Sequence, residues 1–383
     1  MSIIKKVLKQ LILTGDDFAD RLVVSHLRRG EVKKIKDKRR VEILKKTELS
    51  SEQKHKIDKL FQENYGEKIP YDWHRYFTAY TGNFDERYFP EILYVPEFEH
   101  FMNVNKSYCD VYADKNVIPL IAKATGIVTP ETLFSCVYGM FRDRNNKVLS
   151  KTDFIEKASN IGNAFVKPSI DSSSGQGCAV IDLRNGKDIH SGKTVDELIE
   201  ALGDNFVIQE LVKSHKSISN IYPNSVNTFR VITYRWNSDI EVMPVIMRIG
   251  RGNSEVDNAH AGGIFIGVEN DGTLKSTAFT EFRDTFNEHP NTHVVFKGYR
   301  IEHFDRIVEA AKMLHSTIPQ LGIYNWDFTI NEEGTPVLIE ANTLSGSIWL
   351  AEMAHGIGVF GDKTEDVLKW IRHMKRLKKS NRM

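Results

Sequence analysis

Asn325-Trp-Asp-Phe-Thr-Ile330, the turn Asn331-Glu-Glu-Gly334 and the run Val337-Leu-Ile-Glu-Ala-Asn342 decide how this chain is read. Two apolar runs joined by a short polar turn predict a hairpin, with strands over 323–330 and 335–341. Asp327 falls in the middle of the first strand among apolar neighbours. Glu340 and Asn342 stand two apart on the second and so share a face. The turn can bring Asp327 across from them, giving three oxygen-bearing side chains on one side of a hairpin. Any one of these carboxylates reads equally well as a salt-bridge partner. Three oxygen side chains on one apolar hairpin are harder to explain that way, because buried charge is costly unless compensated. Hard oxygen donors that leave positions open suit Mg²⁺ bridging nucleotide phosphates.

Upstream, Phe165-Val-Lys167-Pro-Ser169 places a lysine in an apolar strand, where it needs an anionic partner. The loop that follows, Asp171-Ser172-Ser173-Ser174-Gly175-Gln176-Gly177, can wrap phosphate oxygens with backbone N–H groups and hydroxyls. A Ser/Gly turn by itself is usually only a hairpin; the preceding Lys167 raises its value. Phe206-Val-Ile-Gln209-Glu210-Leu211-Val212 can offer backbone groups to an adenine edge, or be simply a buried strand. Arg230 and Arg248 lie in apolar runs on two predicted strands, 227–234 and 241–249. A buried arginine stays charged, so each needs a phosphate or a carboxylate. The first partner would make them catalytic and the second structural. Asn258-Ala-His260-Ala-Gly262-Gly263 reads as a loop approaching a ligand, with His260 more a hydrogen-bonding residue than a catalytic base. Gly356-Ile-Gly358-Val-Phe-Gly361 matches a dinucleotide-binding pattern but has no βαβ unit around it, and reads as a loop before a helix.

The chain has 383 residues, room for two or three compact units. Apolar residues make up 41% and charged residues 27%, a globular mixture rather than a disordered one. Cys109, Cys136 and Cys178 are too scattered for a disulfide framework or a zinc site, which predicts a reducing compartment. The start lacks a secretory signal and no apolar run would span a bilayer, so a cytoplasmic location is expected. Charge is uneven. Residues 1–46 hold 14 Lys+Arg against 6 Asp+Glu (+8), and residues 369–383 hold 7 Lys+Arg and no acid (+7). With a net charge of +1 for the whole, residues 47–368 carry −14. The basic ends suit either a solvated helix face or contact with an anionic membrane surface or polymer. Nucleic acid is not expected, since the basic segments lack interleaved aromatics. Residues 1–65 read as helical, with Ile4, Val7, Leu8 and Leu11 on one face; residues 66–105 read as an irregular aromatic connector broken at Pro70, Pro90 and Pro96. Helices are expected near 114–126, 194–202, 301–318 and 365–377, with clustered strands between them. That pattern is an α+β architecture of two lobes.

Together these residues resemble the ATP-grasp superfamily, and within it the sugar-transfer-associated family. The resemblance is carried by Asp114-Lys115 before Gly126-Ile-Val-Thr-Pro130, Val166-Lys-Pro-Ser169 with its serine-glycine loop, Gln209–Val212, Asp327, and Leu338-Ile-Glu-Ala-Asn-Thr343. It implies ATP clasped between two α+β lobes, 111–212 and 213–383, preceded by a helical region over 1–110. It implies Lys115 and Lys167 on the phosphates with the 172–177 loop, adenine at Gln209, Glu210, Leu211 and Val212, and two Mg²⁺ ions on Asp327, Glu340 and Asn342. Arg230 and Arg248 would then shield the γ-phosphoryl and an acyl phosphate. The expected activity is a carboxylate–amine ligase releasing ADP, with an acid and an amine as partners and a sugar or surface-polysaccharide precursor as the product's frame. A sugar phosphotransferase and a non-catalytic ATP-binding module are the alternatives. Many superfamily members open with a Rossmann-like domain, whereas residues 1–110 show no βαβ unit, so the acceptor wall is expected to differ.

Overall fold

The computed structural model describes residues 3–382 apart from 171–176, 260–261 and 345, with side chains described from Asp16 onward. The apolar face expected at Ile4–Leu11 lies outside the described side chains. Three helices open the chain: α1 (Ile3–Ile35), α2 (Lys38–Lys45) and α3 (Ser51–Asn64). Asp37 caps α2, and a reciprocal Ser50–Gln53 capping box starts α3.

The aromatic stretch expected to be irregular is instead largely helical. It forms α4 (Asp72–Thr81) and a run of α5 (Glu91–Leu93), a π-helical turn (Tyr94–Glu99) and α6 (His100–Met102). Pro70 and Pro90 precede helices, where proline is tolerated, and Pro96 falls inside the wider π turn. Trp73, Tyr76, Phe77, Tyr88 and Phe89 are buried core.

Helices α7 (Lys106–Ala113) and α8 (Ile118–Ala124) lead into the first sheet. Its strands are β1 (Thr132–Val137), β2 (Met140–Asp143), β3 (Val148–Leu149), β4 (Gly162–Pro168), β5 (Ala179–Arg184), β6 (Lys187–Asp188) and β7 (Asn205–Gln209). They run antiparallel in the order β3-β2-β1-β7-β4-β5-β6. Helices α9 (Lys151–Ala158) and α10 (Val195–Leu202) cover one face, packing Phe154 and Ile199 on Phe134, Val166 and Phe206.

The second sheet holds β8 (Thr228–Trp236), β9 (Asp239–Val242), β10 (Ile246–Ile249), β11 (Ile264–Gly267), β12 (Ala278–Phe279), β13 (Thr285–Phe286), β14 (Ile323–Ile330) and β15 (Pro336–Asn342). Their order is β13-β12-β11-β10-β8-β14-β15, with β9 also paired to β8. The single strand expected over 241–249 is therefore two, split around Met243–Val245. Helices α11 (Lys216–Ser219) and α12 (Phe304–Thr317) belong to this lobe, and α12 buries Ile307, Ala311 and Leu314 against the sheet.

Helices α13 (Trp349–His355) and α14 (Thr364–Arg376) return the chain to its beginning. Phe61, Trp73 and Phe98 share one core with Trp349, Phe360 and Leu368. Several charges of the basic ends are spent here: Arg28 on Glu97, Lys375 on Glu67, and Arg382 on Asp20. The glycines of the dinucleotide-like pattern serve packing. A side chain at Gly358 would strike the Arg87 carbonyl, and one at Gly356 would strike Thr81. Among the described residues, no helix is long and apolar enough to cross a membrane.

Asn103 ties the helical region to the second sheet. It is fully buried; its Oδ1 accepts from the Gly322 and Ile323 N–H groups at 2.9 and 3.0 Å, and its Nδ2 donates to the Ile323 and Thr343 carbonyls. Asn103→Ala removes four buried hydrogen bonds, each worth about 1 kcal/mol, while the Gly322 N–H keeps the Met102 carbonyl at 3.2 Å. We expect stability to fall by roughly 3 kcal/mol in urea unfolding; a loss within ~0.5 kcal/mol would remove Asn103 from this role.

Candidate active site

The hairpin forms, and one irregularity in it matters most. Counting back from the turn, Ile330 pairs Pro336, Thr329 pairs Val337 and Phe328 pairs Leu338, but Asp327 then pairs Glu340. Ile339 is an extra residue, a β-bulge. An unbroken register would have set Asp327 opposite Ile339 and sent Glu340 to the other face. With the bulge, Asp327, Glu340 and Asn342 share a face, and Asn342 Nδ2 lies 3.3 Å from both Asp327 Oδ2 and Glu340 Oε1.

Asp327 is fully buried, and two arginines hold it. Arg230, its Cα partner on β8, donates Nε to Oδ1 at 2.5 Å and Nη2 to Oδ2 at 3.1 Å. Arg248 on β10 donates Nη2 to Oδ2 at 3.0 Å. Burial pushes the Asp327 carboxyl pKa up, but the two guanidiniums outweigh it and hold the group below its ordinary value. The arginines of the sequence reading thus meet a carboxylate of the chain, and it is the carboxylate of the same constellation. Sequence reasoning missed Asp257, which accepts from the Thr228 N–H and hydroxyl and lies 3.6 Å from Arg248 Nε. Its only signal was its position beside Asn258.

Lys167 on β4 reaches across from the first lobe. Its Nζ donates to the carbonyl of Ile339, the bulged residue, at 3.3 Å. Burial brings its ammonium pKa down to about 8, partly offset by the Glu340 carboxylate. Lys115, buried just ahead of α8, places Nζ 3.8 Å from Glu340 Oε2. Of the Ser/Gly loop, Ser172, Ser173, Ser174 and Gly175 lie outside the described residues. Gly177 has φ +73°, and a side chain there would meet Pro168 at 2.9 Å.

The strand expected to reach Val212 ends at Gln209, whose amide donates to Thr132 Oγ1 at 3.2 Å. Glu210 bonds back to the Glu131 carbonyl, while Leu211 and Val212 make no backbone hydrogen bond among the described residues. Gln209, Glu210, Leu211 and Val212 all line a single cleft of ≈ 1480 Å³, together with Lys167, Arg230, Arg248, Asp327, Glu340 and Asn342. Asn258 lines it as well; His260 lies outside the described residues. Gly262 and Gly263 close the turn back onto Ala259 and Asn258 and are not in the lining. The cleft also takes in Cys178, and from the helical region Lys34 and Arg40, none of which the sequence singled out. The aromatic connector contributes no wall to it.

A family profile described as sugar-transfer-associated ATP-grasp matches residues 95–367. The chain belongs to this family. Its fold is that of ATP-grasp proteins, an α+β arrangement preceded here by helices α1–α4. Similar solved structures include a D-Ala:D-Ser ligase from Enterococcus faecalis (14% identity, TM-score 0.41, 69% of this chain and 62% of that one). An L-amino acid ligase from Bacillus licheniformis is 16% identical (TM-score 0.37, 67% and 48%). D-alanyl-alanine synthetase A from Vibrio cholerae is 15% identical (TM-score 0.39, 70% and 65%). The chain spans between about half and two thirds of the length of these three structures. Comparison with curated proteins finds no match.

In this ATP-grasp protein two buried guanidiniums share the Asp327 carboxylate, so Asp327→Asn takes away a charge that both depend on. We expect a stability loss of roughly 3 kcal/mol at pH 7 in urea unfolding. Because the folded-state pKa is depressed, that contribution is present above 3.8 and is lost as the pH falls through the folded value. The gap between variant and wild type therefore narrows in acid; a gap that stays constant would break the assignment.

Proposed function

We propose that the chain is an ATP-dependent carboxylate–amine ligase that makes an amide through an acyl phosphate and releases ADP and phosphate. Its product is a modified sugar or cell-surface polysaccharide precursor. The observation that carries the reading is the convergence of Lys167, two arginines and three oxygen-bearing side chains from both lobes on one cleft, with Lys115 Nζ set behind its lining 3.8 Å from Glu340. That cleft, ≈ 1480 Å³, exceeds the ~300–1,000 Å³ of a typical single-ligand pocket.

The residues fit a divalent metal. Two carboxylates and a carboxamide tip meet within hydrogen-bonding reach, and rotating the Asn342 amide turns its oxygen toward the other two. Asp327, Glu340 and Asn342 would hold Mg²⁺, which when bound supplies Lewis-acid shielding of phosphate oxygens. The chain's own groups do the rest. Lys115 and Lys167 bring positive charge to the β- and γ-phosphates of ATP. The backbone groups at Leu211 and Val212, which bond to no other backbone group among the described residues, meet the adenine edge. Arg230 and Arg248, both most of the way out of water, stabilise charge on the transferring phosphoryl group. The acid's carboxylate oxygen attacks the γ-phosphorus as the bond to the β-bridging oxygen breaks and ADP departs. The amine then attacks the acyl carbon, phosphate leaves and the amine gives up a proton, for a net yield of amide, ADP, phosphate and H⁺. Holding both partners in one water-poor cleft is the main contribution of the protein.

Purified protein with Mg-ATP, screened against uronic acids and amino acids singly and in pairs, should release ADP only when an acid and an amine are both present. The product's mass should be one water below their sum. A phosphorylated single acceptor would make the chain a kinase and end the ligase reading. Glu340→Gln should lower ADP release by roughly 100-fold, and EDTA should abolish it.

Proton loss from Lys167 sets a pH limit. The ammonium, with its pKa near 8, is the form that meets phosphate, so the dissociation constant for MgADP should rise toward about tenfold per pH unit above 8. Lys167→Arg keeps its charge and should flatten that rise in a calorimetric titration. A wild-type affinity that is level from pH 7 to 9.5 would contradict it.

A further inference from the structure

The cleft does not end at the arginines. Beyond Arg230 and Arg248 it crosses an apolar floor that includes Ile232, Ile246 and Leu350, then reaches Lys34, Arg40, Glu281 and Trp349. This far end is assembled from three distant parts of the chain: the α1–α2 corner, the β12–β13 turn and the start of α13.

Arg40 is its centre. Its guanidinium lies over the Trp349 ring, 4.7 Å from the centroid. Nη1 donates to the Lys34 carbonyl at 2.9 Å, and Nη2 donates to the Glu281 carboxylate. Nε is buried with no hydrogen-bond partner among the described residues. A carboxylate seated on an arginine fork takes both Nε and Nη2. Here Glu281 takes one of the two and leaves the other unmet, at a cost that a better-placed carboxylate would remove. The surroundings are stiff. Glu91 Oε1 holds Ser347 Oγ and the N–H groups of Ile348 and Trp349 at 2.7–3.0 Å, which fixes the platform under Arg40. The Glu281 carbonyl accepts from the hydroxyls of Tyr76 and Tyr80. Lys34, paired with Glu31 at 2.7 Å, adds a second cation at the mouth.

We propose that this far end is the acceptor subsite, where Arg40, assisted by Lys34, binds a carboxylate of the second substrate in place of Glu281. The assignment rests on the ligase reading and deepens it: the helical region supplies the wall that reads the acceptor. The apolar floor spans the distance between that anchor and the reacting end. A substrate with two separated polar ends, one anionic, is the chemistry that fits.

Calorimetric titration of the full chain, saturated with MgADP, tests this with L-aspartate and L-glutamate as probes and D-glucose as the neutral control. At least one acid should bind with 1:1 stoichiometry, and glucose should not. Arg40→Met should weaken that binding about tenfold, while the dissociation constant for ADP moves less than about twofold. Glu281→Gln removes the internal competitor and should tighten it severalfold. Should Arg40→Met fail to fold, Arg40→Lys keeps the charge without the fork and should weaken binding at least threefold. Neither acid binding to wild type, or unchanged binding to the Arg40 variants, would overturn the proposal. These titrations need no turnover, so a missing amide product would sink the ligase reading while leaving this result to stand or fall alone.

Discussion

One buried carboxylate organises this molecule. Asp327 sits at the meeting of β14, β8 and β15, where Arg230, Arg248 and Asn342 all point at its two oxygens. None of these charges would be tolerated singly in such a place. Each is there because the others are, and the strand pairings that bring them together are fixed by the apolar residues on either side. The same carboxylate is a candidate metal ligand, and together with Asp257 it offsets the two guanidiniums before any nucleotide arrives. Added cation on one side and phosphate on the other can then replace contacts the chain already makes with itself.

The bulge at Ile339 does two things at once. It turns Glu340 to the face of Asp327, and it frees a carbonyl that Lys167 reaches from the opposite lobe. The lobes are thereby linked at the point where phosphate is proposed to lie. Lys115 approaches Glu340 from a third direction. A cleft formed this way is stiff at its centre, as positioning two reactants against one another requires.

The helical region is part of the same construction. Its aromatic core is continuous with α13 and α14, and Asn103 bonds directly to the backbone of the second sheet. Lys34 and Arg40 can therefore hold fixed positions in the cleft although hundreds of residues separate them from Glu281 and Trp349. The proposed acceptor subsite depends on that arrangement.

Much of the fold was legible because apolar spacing reports it directly: the hairpin at 323–342, the buried lysine strand, and the helices ending at Gly126 and beginning after Thr194. The stretch 66–105 misled because its prolines look like breaks, whereas two of them start helices and the third fits a π turn. Asp327, Glu340 and Asn342 stood out because polar oxygens in apolar strands are expensive and few. By itself, then, the sequence determined which residues had to find partners, since burial and charge are properties of residue and neighbours. Which partner each one found was decided only by tertiary structure. A one-residue bulge sets the face of Glu340, a neighbouring strand brings two arginines to Asp327, and a distant helical corner sets Arg40 beside Trp349. Those contacts depend on register and on long-range packing, for which spacing along the chain carries no signal.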